Sequence, residues 1–288
     1  MKPENNTQQH LEHSYHISNA IDHAHPTEYA DHNYATLPQV DHVNLELHYA
    51  DDISKVTSDY AEIQYMKERI AEKLAERGLI LNAGKTEEYT ISRLNCDSSW
   101  KKCKLLGSLL DTEEDMKRRK GLTIDAVMKL RHIFNHKKIS ITTKLKVFNC
   151  HVEPIYLYNS ELWVLTKQCR DSIDSFHRRI LRSKILNIRY PRIVTNVEVY
   201  NKTGVKKWST SIERRRLCLF GHTVRQREDT PVRKALAYAR RPYDRPAGRP
   251  RTTWLSQITG QIAAQMNMSL EDAVTAAQDR EVWKSLCG

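Results

Sequence analysis

The sequence predicts an α+β fold that is predominantly helical. Residues 43–56 alternate between apolar and polar side chains, which is the pattern of a half-buried pair of strands. From about residue 113 onward, apolar residues recur at the spacing of helices. No apolar run approaches the roughly 20 residues of a membrane span, and the first residues lack the pattern of a secretory leader. We therefore expect an intracellular protein, nuclear or cytoplasmic, with no membrane partner.

The predicted hairpin spans about 42–57 and carries two adjacent carboxylates, Asp51 and Asp52, at its tip. The apolar positions of the two strands are Val43, Leu45, Leu47, Tyr49, Ile53 and Val56. Paired carboxylates are hard oxygen ligands suited to Mg²⁺, and two-metal phosphoryl transfer depends on such ligands. The alternative interpretation is an ordinary solvated acidic turn.

A helix is predicted next, over 60–77, with Asp59 and Glu62 as a capping box and Gly78 as its stop. Its predicted buried face comprises Ile63, Met66, Ile70 and Leu74. Short strands are expected at 79–81 and 89–91. Residues 105–109 indicate a turn between two further short strands.

The rest of the chain is predicted to be helical. The predicted helices are 113–135, 141–151, 168–187, 209–226, 253–266 and 269–285. Residues 240–252 are rich in Arg, Pro and Gly and indicate an exposed linker. Residues 1–40 are polar and rich in His, and we predict a disordered tail there, with a metal-binding tract as the alternative. The six cysteines are scattered, which is typical of reduced thiols.

Charge divides the chain sharply. Residues 1–100 hold 8 Lys and Arg against 17 Asp and Glu, a net charge of −9, whereas residues 101–288 hold 38 against 18, a net charge of +20. A basic half of this size predicts RNA or DNA as the partner, with an anionic membrane surface as the competing interpretation. The candidate phosphate-binding residues are Arg178, Arg179, Arg214, Arg215, Arg216, Arg249 and Arg251. The last two belong to a run that is similar to the core of an AT-hook.

Aromatic residues and Cys and His pairs are further candidates for base stacking and for metal binding. Tyr158, Trp163 and Trp208 offer flat faces among basic residues for base stacking, although burial in a core is the commoner use of such rings. Cys218 and His222 have a spacing that suits one metal, and His132 and His136 share it, but neither pair has a second pair at zinc-finger spacing.

Short segments along the chain carry a resemblance to a known family. The front segments are the acidic hairpin with the helix after it, then Leu79 to Glu87, then Lys104 to Leu109. The later segments are Tyr156 to Trp163, Phe220 to His222, Gly248 to Trp254 and Asp279 to Trp283. In this order they resemble the reverse transcriptases of non-LTR (LINE-like) retrotransposons, over roughly residues 43–285.

The resemblance implies Mg²⁺-dependent RNA-directed DNA polymerisation from dNTPs. Asp51 would ligate Mg²⁺ with Asp52 assisting, and Lys85 would lie near the triphosphate, unless it is a solvated loop lysine. Lys104 and Gly107 match the hairpin that grips the primer end. By the same resemblance we predict a partial palm over 41–111, a thumb-like helical region over 112–205 and a basic helical segment over 206–288.

The chain also departs from the family. A complete member has several hundred residues before the acidic hairpin, including a third catalytic aspartate on an earlier strand, whereas 48 residues precede Tyr49 here. Asp22, Asp31 and Asp41 lack the family pattern around that aspartate. We expect an N-terminally truncated copy that is inactive alone. The alternatives are a nonspecific nucleic-acid-binding protein that uses only its basic half, and a relic without function.

Overall fold

The structure, a computed structural model, describes residues 15–19, 44–49, 52–57, 59–91, 98–240 and 252–288, with only the backbone for 15–19, 44–49 and residues 52 and 83. The chain divides into two compact units, Met1–Asp111 and Thr112–Gly288. The first unit holds the strands and the second is helical, so the fold is α+β and mainly α, as predicted. In the part that the structure describes, no helix is long and apolar enough to cross a membrane.

The first unit is built on an antiparallel sheet. Its strands are β1 (Tyr15–Asn19), β2 (Asn44–Tyr49), β3 (Asp52–Thr57) and β4 (Glu87–Ile91), in the order β2-β3-β1-β4. The predicted hairpin forms from β2 and β3, with Tyr49 opposite Asp52. Residues 1–40 were predicted to be a disordered tail, but Tyr15–Asn19 form the strand β1, which pairs with both β3 and β4. The other residues of 1–40 lie outside the described residues.

Helix α1 (Tyr60–Ala75) contacts strand β3 through polar side chains of Glu62, Thr57 and Lys55. Asp59 caps it by accepting a hydrogen bond from the amide of Ala61. Glu62 does not complete the predicted capping box with Asp59, because its carboxylate accepts a 2.6 Å bond from the Thr57 hydroxyl and lies 3.5 Å from the Lys55 ammonium. Ile63 is buried, whereas the other three apolar residues of the predicted face are only partly covered.

The predicted strand at 79–81 is not formed, and these residues have no regular secondary structure. Before them, Gly78 has φ of +70° and the amide of Leu79 donates back to the carbonyl of Leu74, which ends helix α1. The predicted turn is present, between β5 (Lys104–Leu105) and β6 (Ser108–Leu109). Leu106 and Gly107 both have positive φ there, as a type I′ hairpin turn requires. The 3₁₀ helices Ala83–Lys85 and Ser99–Lys102 complete this unit.

The second unit consists of helices α2 to α12. They are α2 (Thr112–Lys129), α3 (Arg131–Asn135), α4 (Ile141–His151), α5 (Glu153–Tyr156), α6 (Lys167–Ile180), α7 (Asn196–Thr203), α8 (Trp208–Val224), α9 (Pro231–Ala239), α10 (Trp254–Met266), α11 (Leu270–Gln278) and α12 (Arg280–Cys287). A 3₁₀ helix, Ser160–Leu162, and a π-helical turn, Leu181–Ile185, accompany them. The predicted helix 269–285 is divided at Asp279, whose carboxylate caps α12. Helices α5, α7 and α9 were not predicted.

Two hydrophobic clusters form the core of this unit, and α8 contributes to both. Its first turns supply Trp208 and Ile212 to a cluster built mainly from α4 to α6. Its later turns supply Leu217 and Phe220 to a cluster with α9 to α12. The division between the clusters thus falls within one continuous helix, whereas the sequence predicted a boundary at residues 205 and 206.

Candidate nucleic-acid interface

Of the two acidic residues of the candidate metal site, the structure describes only the backbone of Asp52. Asp52 is the first residue of β3 and pairs with Tyr49, so a two-residue connection joins the strands. Asp51 lies in that connection, outside the described residues. Adjacent carboxylates at this place have the donor chemistry that Mg²⁺ prefers. Within the described ranges there is no group of three His, Cys, Asp or Glu side chains that could hold a metal.

The other predicted residues of the first unit lie on turns. Lys85 ends the 3₁₀ helix Ala83–Lys85 and is exposed, and its amide donates to the carbonyl of Asn82 at 3.1 Å. Lys104 is exposed on β5, and Gly107 has φ of +81° in the turn that follows. The positive φ explains why a glycine stands at this position.

Helix α6 places one of the predicted arginines, Arg179, beside an aromatic ring. The guanidinium of Arg179 lies 5.5 Å from the ring centre of Phe176, and the ammonium of Lys120 lies 6.0 Å from the same centre. Burial lowers the pKa of Lys120, and the neighbouring Arg179 lowers it further. Arg178 is half-buried and close to Tyr200. The structure thus brings Lys120 of α2 and Arg179 together, and two adjacent cations favour an anionic partner.

Lys120 was not among the predicted site residues. A lysine within a charged helical run has the pattern of a solvated helix face, and only the packing of α2 on α6 brings it to Arg179. Its ammonium donates a 2.7 Å hydrogen bond to the Ser172 hydroxyl, which holds it at this face.

The three consecutive arginines of α8 have different environments. Arg214 is exposed and donates to a main-chain carboxylate oxygen of Gly288. Arg215 is partly exposed and pairs with Glu161 at 3.0 Å. Arg216 is fully buried and donates to the carbonyl of Trp163 at 2.8 Å. Because a buried guanidinium cannot reach a phosphate, the prediction that Arg216 binds phosphate is wrong. Burial lowers its pKa to about 10.

The predicted stacking rings are mostly core residues. Trp163 and Trp208 are buried, and their indole N–H groups donate to Asp115 and Glu153, respectively. Tyr158 is 44% exposed, with the Arg119 guanidinium 4.6 Å from its ring centre. Only Tyr158 of the three therefore offers surface to a base.

The remaining predicted residues are the Cys and His pairs and the two arginines of the AT-hook-like run. Cys218 and His222 are both exposed on α8, and the His222 ring lies 3.0 Å from the side-chain amide of Gln226. The ring of His136 accepts a hydrogen bond from the backbone of Lys138. Arg249 and Arg251 lie outside the described residues.

No family model, curated protein or solved structure matches this chain.

Proposed function

We propose that this chain derives from a retrotransposon reverse transcriptase and binds RNA and DNA through their phosphates. The observation that carries the proposal is the net charge of +20 over residues 101–288. Exposed cations such as Arg179 and Arg214 are available on the helices of that part. Release of condensed counterions would supply most of the binding free energy, with little dependence on sequence.

Binding by the full chain can be measured by fluorescence anisotropy with labelled single-stranded RNA, single-stranded DNA and duplex DNA. We expect all three to bind, and the affinity to fall about a thousandfold or more between roughly 50 and 200 mM salt. Arg179→Glu should weaken binding more than the matched variant Lys138→Glu, which changes an exposed loop lysine. An affinity that does not change with salt would refute phosphate binding.

A second candidate is Mg²⁺-dependent nucleotidyl transfer from dNTPs, the activity that the resemblance implies, and the pairing of β1 bears on it. Two-metal chemistry needs carboxylates from separate strands, and β1 lies against β3, the strand that Asp52 begins. The first acidic residue after β1 in the sequence is Asp22, which lies outside the described residues. Asp51 and Asp52 would hold the metal, which would stabilise the attacking and leaving oxygens.

Primer extension on poly(rA) with oligo(dT), Mg²⁺ and dTTP tests this candidate. We expect no extension by the chain alone, because its segments resemble only the second half of a palm. Extension that Asp51→Asn abolishes would establish the catalytic hairpin, and loss with Asp22→Asn but not with Asp31→Asn would identify the third carboxylate.

A further inference from the structure

A cleft beside the C-terminal helix gathers four cations. Its volume is about 440 Å³, and it is lined by Arg214 of α8, Arg225 at the end of that helix, and Arg280 and Lys284 of α12. No Asp or Glu side chain belongs to its lining. Of these four cations, only Arg214 was a predicted site residue.

The close packing of the two helices creates this cleft. The Trp283 ring lies directly against Gly221, so that a Cβ atom on Gly221 would overlap the ring. The indole N–H of Trp283 donates to the carbonyl of Leu217 at 2.9 Å. These contacts hold α12 against α8 and bring together cations that are about 60 residues apart in the sequence.

Backbone contacts hold the guanidinium groups of Arg214 and Arg225. Arg225 donates to the carbonyl of Ala277 at 2.8 Å, and Arg214 donates to a main-chain carboxylate oxygen of Gly288. On α12, Lys284 forms an exposed pair with Glu281 at 3.7 Å, which contributes little and can be exchanged for another anion. Arg280 is exposed and makes no ion pair or side-chain hydrogen bond within the described part of the chain.

We propose that this cleft binds a backbone phosphodiester of RNA or DNA, an inference that rests on the proposed nucleic-acid function. Guanidinium groups bind phosphate oxygens through paired N–H donors, and the cleft offers three of them with one ammonium. Base stacking is not available there, because the Trp283 ring is 2% exposed and its N–H is already bonded. The cleft therefore recognises the backbone without reading its sequence.

The cysteines of the chain provide a direct probe of the cleft. Cys218 is exposed and lines it, whereas Cys150 is exposed on α4 and does not. In the full chain, saturating oligo(rU) or oligo(dT) should slow alkylation of Cys218 by N-ethylmaleimide about fivefold or more, since a bound strand covers it. Alkylation of Cys150 should keep its rate. Mass spectrometry of the tryptic peptides distinguishes the two.

A pair of charge-matched variants tests the cations themselves. Arg280→Glu with Lys284→Glu should weaken binding about tenfold and reduce the salt slope by about two. Lys137→Glu with Lys138→Glu makes the same change of net charge on an exposed loop and should change affinity by no more than about twofold. All four side chains are exposed, so both variants should keep the circular dichroism spectrum of the wild type.

The outcomes separate this inference from the proposed function. If the wild-type chain binds no oligonucleotide, the proposed function fails and the cleft inference falls with it. If the chain binds but both double variants weaken it equally and Cys218 stays unprotected, the nucleic-acid function stands and the cleft is refuted. Protection of Cys218 by phosphatidylserine vesicles but not by oligonucleotides would also refute it.

Discussion

At the scale of single residues, neighbours of the same type serve opposite purposes. Three consecutive residues of α8 are arginines with different surroundings. Arg214 lines a cleft, Arg215 pairs with Glu161, and Arg216 is buried and bonds the carbonyl of Trp163. Successive residues of a helix are rotated by about 100°, so three in a row cannot all face solvent on a helix with two buried sides. The Arg216 guanidinium supports the fold by bonding a buried carbonyl.

His177 is another polar residue used in the core. It is fully buried, and its ring stacks on Trp208 with 4.3 Å between the ring centres. Neither ring nitrogen has a hydrogen-bond partner in the part of the chain that is described. Burial, with a smaller effect from Arg178, lowers the pKa of His177 to about 3 from its ordinary 6.5.

This shift predicts a loss of stability in acid. Below pH 6.5 the unfolded chain takes up a proton that the folded His177 does not, so the free energy of unfolding falls by about 1.4 kcal/mol per pH unit as the pH approaches 3. His177→Phe should remove this contribution, a difference of about 2 kcal/mol between pH 7 and pH 5. Urea unfolding at both pH values measures it. His151→Phe, at an exposed site, should keep the wild-type dependence.

At the scale of elements, α8 organises the helical unit. It contributes to both hydrophobic clusters, and its Gly221 permits the close approach of α12. Two segments singled out by resemblance, Phe220 to His222 and Asp279 to Trp283, meet at this contact. Their co-occurrence in the sequence thus has a packing reason.

Gly221→Ala should therefore be strongly destabilising. Its new methyl group would overlap the buried Trp283 ring, and overpacking of this kind costs about 1–3 kcal/mol or more. Gly121→Ala is the matched control, since it lies in α2 with no atom within 4 Å of the added Cβ. That change should raise stability by about 0.5–1 kcal/mol, because alanine favours helix. Thermal unfolding of both variants measures the two changes in stability. Equal changes would contradict the close contact between Gly221 and Trp283.

The sheet makes a second prediction at this scale. The sequence pattern predicted no strand before the acidic hairpin, whereas β1 pairs with β3 through residues such as Ile17, opposite Val56. The strand β3 is therefore internal, and its amides should exchange slowly with solvent. Ile17→Pro removes a backbone donor and should speed exchange of the β3 amides that face β1. Unchanged exchange in β3, as measured by mass spectrometry, would argue against the pairing.

At the scale of the whole molecule, the charge and the fold divide at nearly the same place. The unit Thr112–Gly288 has two apolar clusters of its own, and the basic half of the sequence begins about ten residues before it. A helical unit with mostly local contacts needs no sheet to fold. The two units thus differ in composition as well as in secondary structure.

The isolated fragment 112–288 should fold by itself. We expect a helical circular dichroism spectrum, a cooperative thermal transition and salt-dependent binding of oligonucleotides close to that of the full chain, because all the cations of the cleft lie within it. A broad, non-cooperative thermal transition without a folded baseline would show that the fragment needs residues 1–111 for its stability.

The sequence by itself determined several local features of this protein. Alternation predicted the hairpin of β2 and β3, helical spacing predicted α4 within its observed bounds, and the dipeptide Leu106-Gly107 predicted the turn of β5 and β6. These features depend on nearby residues, so periodicity and turn chemistry suffice. The division of charge at about residue 100 was likewise evident from counting alone.

Only the tertiary structure decided which polar residues are buried and which distant residues meet. Sequence patterns could not distinguish Arg216 from Arg214, or foresee that Lys120 would lie beside Arg179, because these outcomes depend on helices packed from far along the chain. The pairing of β1 with β3 is of the same kind, since a short polar strand has little signal of its own and is stabilised by its neighbours. The cleft of α8 and α12 likewise depends on the contact between Gly221 and Trp283, two residues that only the folded chain brings together.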